Sequence, residues 1–336
     1  MMARETVTIR NVAQRANVST ATVSRVLNND PRVRYETKQV VLEAMESLGY
    51  KLNIVARSLK TSRTHTIGVL APDLAGDFFM FIAESMNREL TLHGYSLVVS
   101  TSRDSEEEEA KRIRHLAERL VDGIVLIPVG SSSAYLSQVS ALHIPIVFVD
   151  RALEGFESDQ VLVDNEGGAY EAVCALIGEG HRRIGFLGGK PEVTTAKERF
   201  AGYCRAMEEA GLEIEQKYVR FGHPTLPFGY RTMEEIIKDP DSPDTWFIVN
   251  LFAHLGATSY LVTEGGERAQ HITFAAFDEM PYSPLLRYCR YAVQQPIAEM
   301  GKAAANLIID RIEGKGQPEP QILRFRTRLI QHPLVR

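Results

Sequence analysis

Apolar residues within positions 7–50 recur at intervals of three and four, a spacing typical of short amphipathic helices. Thr8 can cap a first helix, and Ser19 can cap a second helix after a tight turn. A third helix is predicted over about residues 36–48, where Gly49 ends it. This part of the chain is therefore predicted to be a small all-α domain. Its first two helices are expected to bury Ile9, Val12, Ala13, Ala16, Val23, Val26 and Leu27.

From Thr66 onward, β-rich apolar runs alternate with amphipathic helical stretches. This alternation favours parallel sheets flanked by helices, so the predicted fold class is α/β, and two successive sets of runs predict two similar lobes. A helix at about 296–313 and a strand at about 320–328 are expected to finish the fold. The other predicted helices are residues 77–93, 104–120, 133–142, 166–179, 195–210, 228–238 and 251–264. The other predicted strands are residues 66–72, 95–101, 123–129, 144–150, 160–164, 182–189, 217–222, 244–250 and 271–278.

These patterns predict a helical domain at residues 1–52, a linker at 53–64 and a doubly wound α/β body at 65–336. Within the body, the strand at 160–164 is expected to cross from the first lobe to the second. The expected lobes are residues 65–160 with 296–316, and residues 161–292 with 318–332.

The composition is that of an ordinary soluble globular protein, with 44% apolar and 24% charged residues in a chain of 336. Because no run of 18 uncharged apolar residues occurs, no membrane span is expected. The charged N-terminus has no apolar core of a secretory signal, so a cytoplasmic location is expected. Isolated cysteines are expected to be buried apolar residues rather than metal ligands or disulfides; they are Cys174, Cys204 and Cys289.

The net charge of −5 conceals an uneven distribution along the chain. Residues 1–64 contain 11 Lys and Arg against 5 Asp and Glu, whereas the remainder contains 27 basic against 38 acidic residues. A basic module on an acidic body suggests that only the first module meets a polyanion.

One side of the second helix carries short polar or basic side chains that would allow close approach to a groove. A helix, a short turn and a second helix with such a face favour a helix-turn-helix that enters the DNA major groove. A small three-helix bundle without a nucleic-acid role is the alternative. The residues of the proposed DNA face are Thr20, Ala21, Thr22, Ser24, Arg25 and Asn28.

The stretch VTIRNVAQRANVSTATVSRVLNN, at residues 7–29, resembles the DNA-binding segment of the LacI/GalR family of bacterial repressors, and the likeness continues to residue 60. The resemblance implies that Thr20, Ala21 and Arg25 face base edges. Arg25 suits bidentate contact with guanine, and Ala21 suits apolar contact with a thymine methyl group. The resemblance also implies phosphate contacts by Thr8, Thr22, Ser24 and Asn28.

The stretch NIVARSLKT, at residues 53–61, is too short to remain helical alone in water. In the resembling family this segment becomes helical on operator DNA, and a leucine wedges between central base pairs in the minor groove. Leu59 occupies that position in this chain. The linker is therefore expected to be a hinge whose helix forms only with DNA and a second subunit.

Several strands of the predicted body end in polar or aromatic residues, and ligands of parallel sheets bind beyond these carboxyl ends. Aromatic rings stack on the C–H face of a sugar, while carboxylates, guanidiniums and amides can bind its hydroxyls. Each residue taken singly could equally be a loop residue, a helix cap or half of an ion pair. The candidates are Phe78, Phe79, Asp150, Arg151, Arg199, Asn250, Asp278 and Gln294.

The body also resembles the effector domain of the same family, which is similar to periplasmic sugar-binding proteins. The matching words include PDLAGDFF, VFVDR, AKERFAGY and QQPIAEMG. Gly76 and Asp77 replace the usual Asn-Pro before the paired aromatic residues, and Leu251 replaces a common Asp. Asp77 thereby adds a hydrogen-bond acceptor. A sugar or polyol effector, possibly phosphorylated, is favoured over a purine.

The sequence lacks GxGxxG, GxxxxGK[ST], HExxH and GxSxG, and its nine histidines form no spaced ligand pair. No cofactor, metal or catalytic residue is therefore expected, and the protein is not predicted to be an enzyme. A cytoplasmic enzyme of sugar or polyol metabolism is the alternative, but it would not explain the basic first module. A periplasmic transport receptor is disfavoured by the missing signal.

The predicted function is that of a transcriptional regulator, a repressor whose affinity for operator DNA is controlled by a small molecule bound between two lobes. One helix-turn-helix reads only a few base pairs, so a homodimer on a palindromic operator at the nucleoid is expected. The C-terminal stretch RTRLIQHPLVR lacks the appended heptads of tetrameric relatives, which favours a dimer.

Overall fold

The computed structural model describes residues 7–27, 30–50, 63–118, 121–136, 139 and 142–334. The chain divides into two compact units, residues 1–64 and 65–336. Among the described residues, no helix is long and apolar enough to cross a membrane.

The first unit contains three helices, as predicted: α1 (Ile9–Arg15), α2 (Thr20–Leu27) and α3 (Tyr35–Leu48). The backbone N–H of Thr22 donates to Ser19 Oγ at 3.1 Å, so Ser19 caps α2. Gly49 adopts φ +61° and ends α3, because a left-handed residue costs glycine no side-chain clash. The small core joins all three helices through Val12, Ala13, Ala16, Val23, Val26, Val41 and Ala44.

The body contains two six-stranded sheets that share one strand order, and helices pack against the strands of each sheet. In the first sheet the order is β11-β5-β4-β3-β1-β2, and every described pairing is parallel. Its strands are β1 (Thr66–Ala71), β2 (Ser96–Thr101), β3 (Gly123–Leu126), β4 (Ile146–Val149), β5 (Asp159–Val163) and β11 (Ile322–Phe325).

The second sheet has the order β12-β10-β9-β8-β6-β7. Its pairings are parallel except that between β10 and the edge strand β12. Its strands are β6 (Ile184–Leu187), β7 (Val219–Arg220), β8 (Thr245–Ile248), β9 (Thr273–Phe277), β10 (Cys289–Gln294) and β12 (Arg328–Gln331).

The described body helices lie between these strands in the predicted alternation. They are α4 (Asp77–Leu92), α5 (Glu106–Glu118), α6 (Asn165–Gly178), α7 (Thr194–Glu209), α8 (Leu226–Lys238), α9 (Leu251–Thr263) and α10 (Ile297–Glu313). Shorter 3₁₀ helices occur at Ser133–Leu136, Gln216–Tyr218, Glu267–His271 and Ser283–Leu285. The helix predicted over residues 133–142 is thus only a 3₁₀ turn in its described part.

Two expectations about the lobes were wrong. The strand predicted at 160–164 does not cross to the second lobe, because β5 pairs with β4 and β11 within the first sheet. The single strand predicted at 320–328 is two strands, β11 and β12, which belong to different sheets. The chain therefore crosses between the lobes three times: after β5, after β10 and between β11 and β12.

Candidate functional site

A cavity of about 580 Å³ lies between the two lobes, at the carboxyl ends of the strands of both sheets. This is where an α/β sheet binds a ligand, since the strand ends and the helix N-termini face the same space. Eight of the nine effector residues predicted from the sequence line it: Asp77, Phe78, Phe79, Asp150, Arg151, Arg199, Asn250 and Asp278.

Asp150 follows β4 with a left-handed backbone, φ +68°, and its side chain is buried. Its Oδ2 lies 3.6 Å from Arg151 Nε, beyond hydrogen-bond distance, and Oδ1 has no hydrogen-bond partner among the described residues. Burial raises the pKa of Asp150 to about 6, although the guanidiniums of Arg151 and Arg199 act in the opposite direction. A buried, unsatisfied acceptor is costly in the protein alone and would be satisfied by a ligand O–H or N–H.

Arg199, on α7, is a buried residue that lines the cavity. Its Nε donates to Asn165 Oδ1 at 2.8 Å, and Nη1 donates to the carbonyl oxygen of Val249 at 2.6 Å. Its guanidinium carbon lies 3.8 Å from the ring centroid of Phe277, a cation–π distance. Burial lowers the pKa of Arg199, while Asp278 and Asp150 oppose that effect. The side chain is thus held from two sides.

Asp278 follows β9 with φ +74°, so it takes the position in the second sheet that Asp150 takes in the first. Unlike Asp150, it is well supplied with donors. Its Oδ1 accepts from Gln295 Nε2 at 2.7 Å, and Oδ2 accepts from the backbone N–H of Leu251 at 3.3 Å. The Oδ1 of Asn250 caps α9 by accepting from the backbone N–H groups of residues 252 and 253.

Gln294 was a wrong choice for the cavity. It ends β10 opposite Arg328, and its side chain is exposed on another face of the body. Side chains alternate along a strand, so a shift of one residue reverses the face. Gln295 is the buried residue that enters the cavity and bonds to Asp278.

Asp77 has an unexpected partner. Its Oδ2 accepts a 2.7 Å hydrogen bond from the hydroxyl group of Tyr282, which belongs to the second lobe. The acceptor that the sequence suggested for a ligand thus joins the lobes. Phe78 is buried, and the rings of Phe78 and Phe79 meet edge to face at 5.4 Å between centroids. Phe252 adds a third aromatic ring to the cavity.

Sequence reasoning missed a polar cluster at the solvent-exposed side of the cavity, which we call the open end; it comprises Arg103, Asp104, Lys190, His223 and Thr225. Lys190 Nζ donates to Asp104 Oδ2, and His223 Nδ1 lies 3.3 Å from the same oxygen. Asp104 follows β2, whereas Lys190 and His223 follow β6 and β7, so these contacts also join the lobes. Asp104, Lys190 and His223 each lie three residues beyond the end of a strand, and these positions could have indicated them.

The charges of the cavity almost balance. Among its described lining residues, four Arg and Lys stand against five Asp, so the lining carries no excess of positive charge at neutral pH. An anionic ligand would find little net attraction there. The described residues also contain no cluster of His, Cys, Asp and Glu that could hold a metal ion. The cavity therefore suits a neutral ligand rich in hydrogen-bonding groups.

In the first unit, Thr8, Thr20, Ala21 and Arg25 are exposed, as contacts to DNA require. Thr22 and Ser24 are half-buried, and Thr22 Oγ1 lies 2.9 Å from Ser19 Oγ at the start of α2. Two predicted DNA contacts, Asn28 and Leu59, lie outside the described residues, as does most of the linker.

Two family models match this chain. The model of bacterial regulatory proteins of the lacI family matches residues 8–53. The model of periplasmic binding proteins and the sugar binding domain of the LacI family matches residues 64–333. Together they cover nearly the whole sequence.

Similar proteins cover most of the chain. The HTH-type transcriptional repressor PurR of Escherichia coli is 32% identical over 96% of this chain and 95% of its own length. Catabolite control protein A of Priestia megaterium is 30% identical over 90% of this chain and 91% of its own length. A complex of the transcriptional regulator CelR with cellobiose has a TM-score of 0.72 and 28% identity, over 96% of this chain and 98% of that one.

Two further structures add information about the fold. A ribose operon repressor from Burkholderia thailandensis, so far assigned only provisionally, has a TM-score of 0.72 and 28% identity over 80% of this chain and 100% of that one. The lac repressor dimer bound to operator and the anti-inducer ONPF has a TM-score of 0.84 and covers 97% of this chain and 98% of its own chain. At 23% identity, the latter likeness concerns the fold alone.

Proposed function

The chain belongs to the LacI family of bacterial regulatory proteins: it is a DNA-binding transcriptional repressor with an effector-binding domain, and we propose that its effector is a neutral sugar or polyol. The relatives' functions leave no support for the alternative of a metabolic enzyme. The observation that carries the proposal is the chemistry of the cavity, whose lining combines buried charges of both signs with aromatic rings. Such a lining can bind many hydroxyl groups while stacking against C–H faces.

The unsatisfied oxygen of Asp150 supports a ligand that donates protons to hydrogen bonds. Asp278 and Arg199, by contrast, are already fixed by protein partners and are suited to orient the ligand. The charge balance disfavours a phosphorylated effector, because a phosphate would add about two negative charges to a lining without a positive excess. Two relatives point the same way, since one is bound to cellobiose and another is named after ribose.

On the DNA side, we assign base contacts to Thr20, Ala21 and Arg25 and phosphate contacts to Thr8, Thr22, Ser24 and Asn28. The exposure of Arg25 and Ala21 on α2 supports this assignment. Two copies would read a palindromic operator at the nucleoid, with Leu59 of each linker in the minor groove. Effector binding would change the angle between the lobes and so the spacing of the two linkers.

A thermal-shift screen of sugars, polyols, sugar phosphates and purine bases, repeated with operator DNA, tests the proposal. A neutral sugar or polyol is expected to raise the melting temperature and to change operator affinity. Asp278→Ala is expected to remove the response to the ligand while operator binding persists. A purine base as the strongest stabiliser, or an Asp278→Ala variant with a normal response, would contradict the assignment.

A further inference from the structure

The cavity is longer than one sugar unit. Thr101, at the end of β2, and Phe148, near the end of β4, are separated by three steps across the first sheet, through β1 and β3. In the second sheet, Arg220 on β7 and Ala276 on β9 are separated by the same three steps. At about 4.8 Å per step, each lobe presents a row of strand ends roughly 14 Å long to the cavity.

Polar residues lie along this row in two groups. The first group, which we call the buried group, contains the buried residues Asp150 and Asp278, after β4 and β9, and Arg199 on α7; it also includes the half-buried Arg151 and Asn250, after β4 and β8. The open end follows β2, β6 and β7. The backbone N–H of Asp104 donates to the carbonyl oxygen of Pro72 beyond β1, so this residue lies between β1 and β2. Asp150 and Asp278 are thus separated from the open end by two to three steps, roughly 10–14 Å, whereas Asn250, after β8, is one step from β6 and lies between the two groups.

A single pyranose ring with its substituents spans only about five bonds, or roughly 6–7 Å. One unit that engages Asp150 and Asp278 would therefore leave the open end without a contact. The aromatic residues Phe78, Phe79 and Phe252 begin helices that follow the central strands β1 and β8, so stacking surfaces border the first unit. A second unit of similar size fits the remaining length.

The open end has the chemistry of a hydroxyl-binding subsite. It presents a carboxylate, an ammonium group, a guanidinium and an imidazole within one small cluster. Side-chain exposure is 19% for Asp104 and 30% for Lys190, against 6% for Asp150, so a bound group here would remain partly in contact with water. Asp104 neutralises Lys190, and although Arg103 adds one positive charge at the open end, the whole cavity lining carries no positive excess, so a phosphate is not favoured over a neutral sugar ring.

We propose that the effector is a neutral disaccharide, whose first unit binds among the buried group and whose second unit contacts Asp104, Lys190 and His223 at the open end. This inference rests on the proposed function, since it divides the same cavity into two subsites. The second unit would lie against the residues that join the two lobes. A disaccharide could therefore stabilise lobe closure in a way that either of its units alone could not.

Isothermal titration of the full-length protein with matched sugars tests the proposal. The probes are cellobiose, maltose, lactose, trehalose and sucrose, each compared with its constituent monosaccharides, and with ribose. At least one disaccharide is expected to bind tenfold or more tightly than its own units. A monosaccharide that binds as tightly as every disaccharide would overturn the two-subsite inference and leave the sugar assignment intact. Binding of none of these sugars would overturn the disaccharide inference, and the proposed function would fail as well only if no polyol stabilised the protein in the thermal-shift screen.

Variants of the open end distinguish a direct contact with the second sugar unit from an effect on lobe closure. Asp104→Ala and Lys190→Gln are each expected to weaken the disaccharide about fivefold to tenfold relative to the monosaccharide, as expected for a lost hydrogen bond. Loss of lobe closure alone would weaken both ligands equally, and that result in both variants would overturn the proposal. The control is Asp241→Ala, which removes an exposed ion pair with Lys217 (2.6 Å) outside the cavity.

Discussion

Replacement of Asp150 by Asn is expected to stabilise the protein at neutral pH while it weakens effector binding. Asp150 is 5% exposed, and one of its carboxylate oxygens has no partner among the described residues. Asparagine has nearly the same shape without the charge and tolerates a left-handed backbone, so the substitution adds no backbone strain. The variant therefore isolates the cost of a buried charge.

The magnitude follows from the pKa of Asp150, which burial raises from the ordinary value of 3.8 to about 6. This difference corresponds to about 3 kcal/mol against the ionised form in the folded state. This pKa already includes the neighbouring charges: Arg151 and Arg199 favour the ionised form and lower the pKa, whereas Asp278 and Glu198 disfavour the ionised form and raise it. An aspartate whose pKa is raised on folding stabilises the fold only while it is protonated. That stability is complete below about pH 4 and is lost as the pH rises through about 6.

The difference in unfolding free energy between Asp150→Asn and the wild type should thus be near zero at pH 4 and should grow to about 3 kcal/mol at pH 7.5. Asp278→Asn is the matched control, because it occupies the equivalent position after β9. Asp278 accepts two hydrogen bonds, so its substitution should destabilise the protein by about 1–3 kcal/mol at pH 7.5.

Urea denaturation at several pH values, without ligand, measures both differences. The circular dichroism of the helices reports the whole chain, and the fluorescence of Trp246, the single tryptophan, reports the second lobe, where it is fully buried. Other titrating groups are common to both proteins and cancel in the difference. An Asp150→Asn variant that is less stable than the wild type at pH 7.5, or a difference that does not change between pH 4 and 7, would refute the reasoning.

Three further substitutions test other parts of the molecule. Arg25→Ala should cost about 1–3 kcal/mol on a preferred operator and relax base choice, whereas equal loss on all DNA, measured by fluorescence anisotropy, would make Arg25 a phosphate contact. Gly229→Ala should lower the unfolding free energy by about 1–3 kcal/mol, because its Cβ would clash with the backbone carbonyl of Ala253 where α8 meets α9. Thermal melts measure this loss, and Gly178→Ala is the control because the space around Gly178 is open. Tyr282→Phe removes the interlobe hydrogen bond to Asp77 and should raise the Kd of the effector about fivefold in calorimetry, and an unchanged Kd would show that this bond plays no part in closure.

Local periodicity predicted most of the fold. The helices of the first unit carry their apolar residues at the helical period, and the strands β1, β3 and β4 are nearly continuous buried apolar runs, as is usual in a parallel sheet covered on both faces, so their positions could be predicted from the sequence. The strand β10, at Cys289–Gln294, was missed because Arg290 and Tyr291 interrupt its apolar run. Its stability comes from pairing with β9 and β12, which lie at other points of the chain.

Sheet membership was less readable than strand position. No feature of the β5 sequence indicates that this strand pairs with β4 rather than beginning the second lobe. That pairing is fixed in part by Arg311, whose guanidinium donates two hydrogen bonds to Asp159 at 2.6 and 2.8 Å. Arg311 belongs to α10, which returns to the first lobe after the whole second lobe, and such distant contacts leave no local periodicity.

The cavity residues were predictable to the extent that strand ends are. Eight of the nine predicted residues line the cavity, but the choice failed by one position at Gln294, which ends a strand that was not predicted and whose side chains alternate between faces. Lys190 and His223 were missed although they directly follow the predicted strands at 182–189 and 217–222, because their partner, Asp104, is in the other lobe and the sequence does not show that contact.

Asp150 and Asp278, at the ends of β4 and β9, show that position after a strand does not by itself predict how a residue contributes to ligand binding. Both have left-handed backbones, both are buried and both line the same cavity, so a sequence pattern treats them alike. Their surroundings differ, since Asp278 is satisfied by Gln295 and Leu251 whereas one oxygen of Asp150 is not. A ligand donor would therefore gain most at Asp150, where it removes an existing cost, while Asp278 can hold a ligand without reorganisation. The two equivalent positions thus contribute unequally to ligand binding, because hydrogen-bond donors from other parts of the chain satisfy Asp278 and leave one oxygen of Asp150 without a partner.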